Sequence, residues 1–147
     1  MTNHLRAVFD TNVYLSAILS KNLNSPNKEL MNRFMDNEFT LLVCNALLEE
    51  LTEKLIEFDI ARSDIVRTLQ VLQGLAEWVD VPPEFITQGI LPDPDDEVIL
   101  ACAILGHADY LVTYDPHFNI LQGEYQGFKI TKALPFLWAV RGENLVE

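Results

Sequence analysis

The chain has 147 residues, 49% of them apolar, and sets 22 acidic side chains against 10 lysines and arginines, for a formal net charge of −12. That balance is ordinary for one folded domain over residues 1–147, long enough for a real core, and no low-complexity stretch or repeat interrupts it. It argues against a basic nucleic-acid footprint, so any polyanion would need bound cations or a basic partner protein to offset the repulsion.

In chain order, LRAVFD (5–10) reads as a short buried strand closed by Asp10. TNVYLSAIL (11–19) has helical spacing, with Asn12 a candidate N-cap. KNLNSPN (21–27) is a loop, and KELMNRFMDN (28–37) a short amphipathic helix whose apolar residues suit a homodimer contact. FTLLVC (39–44) is a second buried strand. Asn45 is placed to cap the helix of 46–58, where leucines recur at i, i+3, i+4 and i+7. Ser63 is placed to cap another helix over 64–78, and WVDV (78–81) is a short strand stopped by Pro82 and Pro83. A loop through ITQGILP (86–92) leads to PDPDDEVILACAIL (92–105). ADYLVTY (108–114) is a strand, DPHFNIL (115–121) a helical turn, FKIT (128–131) the last strand, and KALPFLWAV (132–140) a terminal helix interrupted or begun at Pro135.

Strands that alternate with helices and are themselves short and apolar predict an α/β fold, a parallel sheet covered on both faces. Function in such sheets gathers outside the carboxyl ends of the strands. Asp10 and Asp115 both close predicted strands. The longest apolar run, 98–105, is too short to span a bilayer, so no membrane segment is expected. The amino terminus lacks a basic region followed by a long apolar segment, so no secretory leader is expected either. Cys44 and Cys102 stand singly in apolar context and read as reduced core residues of a cytoplasmic protein.

The acids admit two readings. Asp93 before Pro94 is an efficient helix start, with Asp95 and Asp96 suiting the dipole. Asp115 before Pro116 repeats that logic. Asp10 has no such account, because no salt-bridge partner stands near it in sequence. Asn12 and Thr113 can be a cap and a strand residue, or can orient carboxylates. On the helix of 46–58, Glu50 borders the apolar face while Glu49 and Glu53 lie outward. Glu50 is either one half of an i,i+4 pair with Lys54 or a fourth acid reaching the strand ends. Carboxylates crowded without cations oppose their own ionisation, and Mg²⁺ or Mn²⁺ would resolve the crowding. His4, His107 and His117 are isolated and suggest no zinc site. No Gly-rich phosphate loop is present. A site of this kind supports phosphodiester hydrolysis.

The order of motifs resembles the PIN-domain family. VFDTNVYLSAIL (8–19) is similar to its opening strand and DTN motif, LLVCNALLEELTEKL (41–55) to the strand and helix of its second acid, and DPDDEVILACAILGHADYLVTYD (93–115) to its third and fourth acids. GFKITKALPFLWAV (127–140) matches its last strand and closing helix loosely. The resemblance implies a three-layer α/β/α sandwich and a Mg²⁺- or Mn²⁺-dependent ribonuclease acting on RNA. Many members are toxins, often dimeric, held by a cognate antitoxin. Carried over residue by residue, it implies catalytic acids Asp10, Glu50, Asp96 and Asp115, metal ligands Asp10, Asp96 and Asp115, and supporting roles for Asn12, Thr113 and Asp93. Two alternatives stand beside it. One is a non-catalytic interaction protein of the same fold. The other is a receiver-like phosphoacceptor, against which the single acid of FDTN counts.

Overall fold

The computed structural model describes residues 4–86 and 89–143. Residues 87 and 88 of the expected 86–92 loop, and the first three residues read for a leader, lie outside that range. Among the described residues, six strands form one sheet: β1 (Arg6–Phe9), β2 (Thr40–Val43), β3 (Glu77–Trp78), β4 (Tyr110–Val112), β5 (Glu124–Tyr125) and β6 (Phe128–Thr131). Their spatial order is β3-β2-β1-β4-β6-β5, every neighbouring pair parallel except β5–β6. The helices among the described residues are α1 (Thr11–Leu19), α2 (Pro26–Met35), α3 (Asn45–Glu57), α4 (Arg62–Leu75), α5 (Pro83–Ile86), α6 (Pro94–Leu105) and α7 (Ala133–Arg141). A 3-10 turn, Pro116–Leu121, follows β4.

The topology matters for function because of where it reverses. From β1 the chain adds β2 and then β3 on one side, then crosses over to lay β4 on the other side of β1. A crevice opens at the carboxyl ends of the two strands flanking such a switch. Asp10 and Thr113 are the residues that follow those two strands, and the ladder runs on through them: Asp10 N donates to Val112 O at 2.9 Å and Thr113 N to Thr131 O at 2.9 Å.

Beneath this edge the core is apolar and rich in rings. Phe9 packs against Tyr14, Phe39 and Phe136, and Phe136 against Phe39 and Tyr110. Such edge-on and tilted contacts hold β1, α1 and α7 in fixed relation. α6 buries Val98 through Ala103 without a break, as an apolar helix must. Its close seat needs Gly106: a Cβ there would meet Leu42 Cδ1 at 2.8 Å and Val79 Cγ2 at 2.9 Å. Cys44 and Cys102 are buried and free, as anticipated.

Several boundaries differ from the sequence reading, each for a local reason. α2 starts at Pro26 behind the Ser25 cap, two residues early, because proline suits the first helical position. Asn45 does not cap α3; Cys44 holds the extended cap position and makes no side-chain bond there. Ser63 is likewise inside α4, which begins behind Ala61. α4 ends at Leu75, so β3 lies at 77–78 rather than 78–81. Pro83 opens the short helix α5 instead of only ending a strand. α7 begins at Ala133, with Pro135 in its first turn, where a missing N–H leaves no bond unmade. β5 was not anticipated: it is a two-residue edge strand closed onto β6 by Gln126 and Gly127, both at positive φ.

Candidate metal centre

Asp10 leaves β1 in extended conformation and caps α1. Its Oδ1 accepts from Thr11 N at 2.7 Å and its Oδ2 from the Thr113 hydroxyl at 2.7 Å. Both partners lower its pKa, but burial outweighs them and holds the Asp10 carboxyl above its ordinary value, with Asp115 adding repulsion. Asn12, offered by sequence as a cap or carboxylate orienter, does not cap α1. It lies inside α1, and its Oδ1 stands 3.4 Å from the Tyr114 backbone N–H, tying α1 to the segment after β4.

Thr113 joins two acids. While its hydroxyl donates to Asp10, its oxygen accepts from Asp115 N at 3.0 Å. Asp115 caps the 3-10 turn, accepting from His117 N at 2.9 Å. Asp93 caps α6 by accepting from Asp95 N at 2.9 Å, and Asp95 is exposed. Asp96 differs from both neighbours. It sits at the third position of α6, whose seat against the sheet turns it inward, and it is 5% exposed. Burial pushes the Asp96 carboxyl up to about 6, opposed by His117 and reinforced by Asp115, Asp10 and Asp93.

Oxygens of Asp10, Asp96 and Asp115 all lie within 4.8 Å of one another. The three come from three separate segments, and only folding brings them together. Glu50 stands at the rim of this group. Its Oε1 lies 3.5 Å from the Thr11 hydroxyl and 3.7 Å from Lys54 Nζ. Burial pushes the Glu50 carboxyl up to about 7, and the charges of Asp95, Asp10 and Asp96 push it the same way. Glu49, its neighbour on α3, is exposed.

Three contributors were missed by sequence. Thr11, fully buried, bridges Asp10 and Glu50, and only its place after Asp10 hinted at this. His117 is not isolated: its Nδ1 lies 2.9 Å from Asp96 Oδ2 and 3.4 Å from Asp115 Oδ1. The hydrogen bond to Asp96 raises its pKa above the ordinary histidine value. Asp93, Asp96 and His117 thereby form a second close grouping that shares Asp96. Glu97, buried in α6, accepts from Leu91 N at 2.6 Å and ties down the segment entering the helix. An acid inside an otherwise apolar helix was the available signal for it.

The donor set decides what can bind. Carboxylate oxygens without thiolate suit hard divalent cations such as Mg²⁺ or Mn²⁺. A groove of about 520 Å³ lies elsewhere, between α1, α2 and α4, and neither the three aspartates nor Glu50 line it. No described helix is long and apolar enough to cross a membrane.

A family model for the PIN domain matches residues 6–117. No curated protein matches the chain. Among solved structures, VapBC2 from Rickettsia felis, bound to a DNA fragment from its promoter, aligns at a TM-score of 0.58 and 16% identity, covering 86% of this chain and 97% of that one. PAE2754 from Pyrobaculum aerophilum aligns at a TM-score of 0.59 and 14% identity, covering 95% and 97%. At these identities the likeness concerns the fold.

Proposed function

Because this chain belongs to the PIN-domain family, we propose that its carboxyl-edge acids form the centre of a divalent-metal-dependent endoribonuclease. The observation that carries the reading is the convergence of Asp10, Asp96 and Asp115 within 4.8 Å at the switch point of the sheet. Asp10, Asp96 and Asp115 would hold Mg²⁺ or Mn²⁺. When bound, such a cation supplies Lewis-acid stabilisation of the phosphodiester and a more acidic water.

The chain's own groups do the rest. Thr113 orients Asp10 and fixes the backbone of Asp115, so two ligands share one support. Asn12 holds Tyr114, next to Thr113, against α1. Asp93 sets the start of α6 and hence the direction of Asp96. Glu50, at the rim of the group with its carboxyl pushed to about 7, would take a proton from the attacking water.

The likeness to VapBC2 supports placing the chain as the toxin of a toxin–antitoxin pair, with a cognate antitoxin as partner. Its charge of −12 suits a basic partner. Leu30 and Phe34 of α2 are core residues rather than a free face, which leaves exposed Met35 as what this helix offers a homodimer, and the buried free thiols support a cytoplasmic location. Family membership removes the receiver-like alternative. The same charge is the specific observation favouring a second reading, a non-catalytic PIN-fold interaction protein. A fluorogenic RNA incubated with wild type and Asp10→Asn, with and without Mn²⁺, separates the two. Cleavage by wild type with Mn²⁺ alone supports the nuclease; equal signal in every arm leaves the interaction protein.

A further inference from the structure

A chain carrying −12 must admit a phosphodiester to a mouth lined by Asp10, Glu50, Asp95, Asp96 and Asp115. We propose that Lys54 is the side chain that contacts a phosphate of single-stranded RNA at this mouth. The inference rests on the nuclease reading and adds to it a substrate-contacting residue.

Lys54 lies one turn beyond Glu50 on α3, and so on the same helix face. Its Nζ stands 3.7 Å from Glu50 Oε1, longer than a hydrogen bond, so the ammonium's three donors are not committed to that carboxylate. Its side chain is 40% exposed while that of Glu50 is 17%, which sets the ammonium on the solvent side of the acid. Its charge also reaches inward, since it lowers the pKa of Asp10. Lys54 is therefore a cation beside Glu50, with its charge felt at Asp10, and open to solvent at once.

The described arginines that form ion pairs are committed elsewhere. Arg6 pairs with Glu77, Arg33 with Glu29 and Glu38, and Arg141 with Glu29 and Glu143. His117 is held by Asp96 and Asp115. A lysine is also the suitable type here. It acts as a point charge on a four-carbon stem and can swing from Glu50 to an incoming phosphate without breaking a bidentate pair.

A purely structural i,i+4 pair would leave RNA binding unchanged, which makes the two roles separable. Each phosphate neutralised on a single strand contributes about 0.7 to the slope of log K against log salt. Lys54→Gln is therefore expected to lower that slope by about 0.7 and to weaken binding about fivefold at 0.1 M salt. The measurement is fluorescence anisotropy of a labelled single-stranded oligoribonucleotide in Mg²⁺, on full chains that also carry Asp10→Asn to prevent cleavage. In the cleavage-competent background Lys54→Gln should raise KM with little change in kcat, and Lys54→Arg should restore both KM and slope. If wild type cleaves RNA but Lys54→Gln keeps the parent slope and KM, the role of Lys54 falls and the nuclease reading stands. If wild type neither binds nor cleaves, both fall.

Discussion

Two groups of carboxylates on this molecule live under opposite rules. Glu29 on α2 accepts from Arg33 Nε at 2.8 Å and from Arg141 Nε at 2.9 Å, and these bonds hold its carboxyl down to about 2. That network ties α2 to α7, and Glu29 is held by two arginines at once. At the carboxyl edge of the sheet, Asp96 is pushed up to about 6 and Glu50 to about 7, first by burial and then by one another's neighbours. No arginine ion pair reaches these acids among the described residues. The difference teaches where the fold is satisfied and where it is held under electrostatic strain, and the strained region is the one poised to take a cation.

The strongest way to break the comparison is to remove one crowded acid. Asp10→Asn should lower RNA cleavage by more than about 100-fold, because a ligand is lost rather than a support. The melting temperature of the metal-free protein should hold or rise, since a buried like charge disappears. A cleavage assay and a circular-dichroism melt on the same sample test both halves; a large fall in melting temperature would show that Asp10 stabilises the fold instead.

Next in size is Thr113→Val, which keeps shape but removes the hydroxyl shared by Asp10 and Asp115. Activity and Mn²⁺ affinity should drop about 10–100-fold. Titration calorimetry with Mn²⁺ reads the affinity without relying on catalysis.

The two regions should also respond oppositely to pH. Folded Asp96 and Glu50 keep protons that the unfolded chain releases near 3.8 and 4.5. Their contribution to stability is full below those values and is lost as pH rises through about 6 and about 7. Glu29 behaves in reverse: its contribution is full above 4.5 and is lost as pH falls through about 2. Metal-free protein should therefore be most stable near pH ~4.5. At pH 8, Mn²⁺ at about 100 times its Kd should add about 2.7 kcal/mol. Thermal melts from pH 2 to 8 with and without Mn²⁺ read this directly. A metal-free melting temperature that climbs steadily to pH 8 would contradict the crowded-acid picture.

The smallest expected effect sharpens the contrast. Glu29→Gln should destabilise by about 1 kcal/mol, the scale of a partly exposed ion-pair network, and leave RNA cleavage unchanged. Urea denaturation beside the cleavage assay checks it.

Much of this was readable in the linear chain. Apolar runs of four to six residues between periodic helices predicted the parallel sheet, because a strand buried on both faces has little room for polar side chains. The Asp-Pro pairs announced two helix starts at their observed places, since capping depends on a few adjacent residues. Where side-chain signals were weak the reading slipped. Asn45 and Ser63 look like caps, yet the chain enters α3 and α4 one or more residues earlier, behind Cys44 and Ala61, which make no side-chain cap bond and so carry no capping signal. The edge strand β5 exists only by pairing with β6, so two residues could not announce it.

The sequence by itself determined the kinds of residues available: lone acids closing apolar strands, a helix start dense in carboxylates, and no thiol or imidazole pair to suggest zinc. Only the tertiary structure decided which of those acids share space. Asp93, Asp95 and Asp96 all suit a helix start, and the family motif set Asp96 apart; the seat of α6 against β1, β2 and β4 is what brings Asp96 to Asp10 and Asp115, while Asp93 caps the helix and Asp95 is exposed. His117 looked solitary until the 3-10 turn laid it on Asp96. The reason is physical: propensity and capping act over a few residues, whereas burial and repulsion depend on distances that exist only once the sheet has closed.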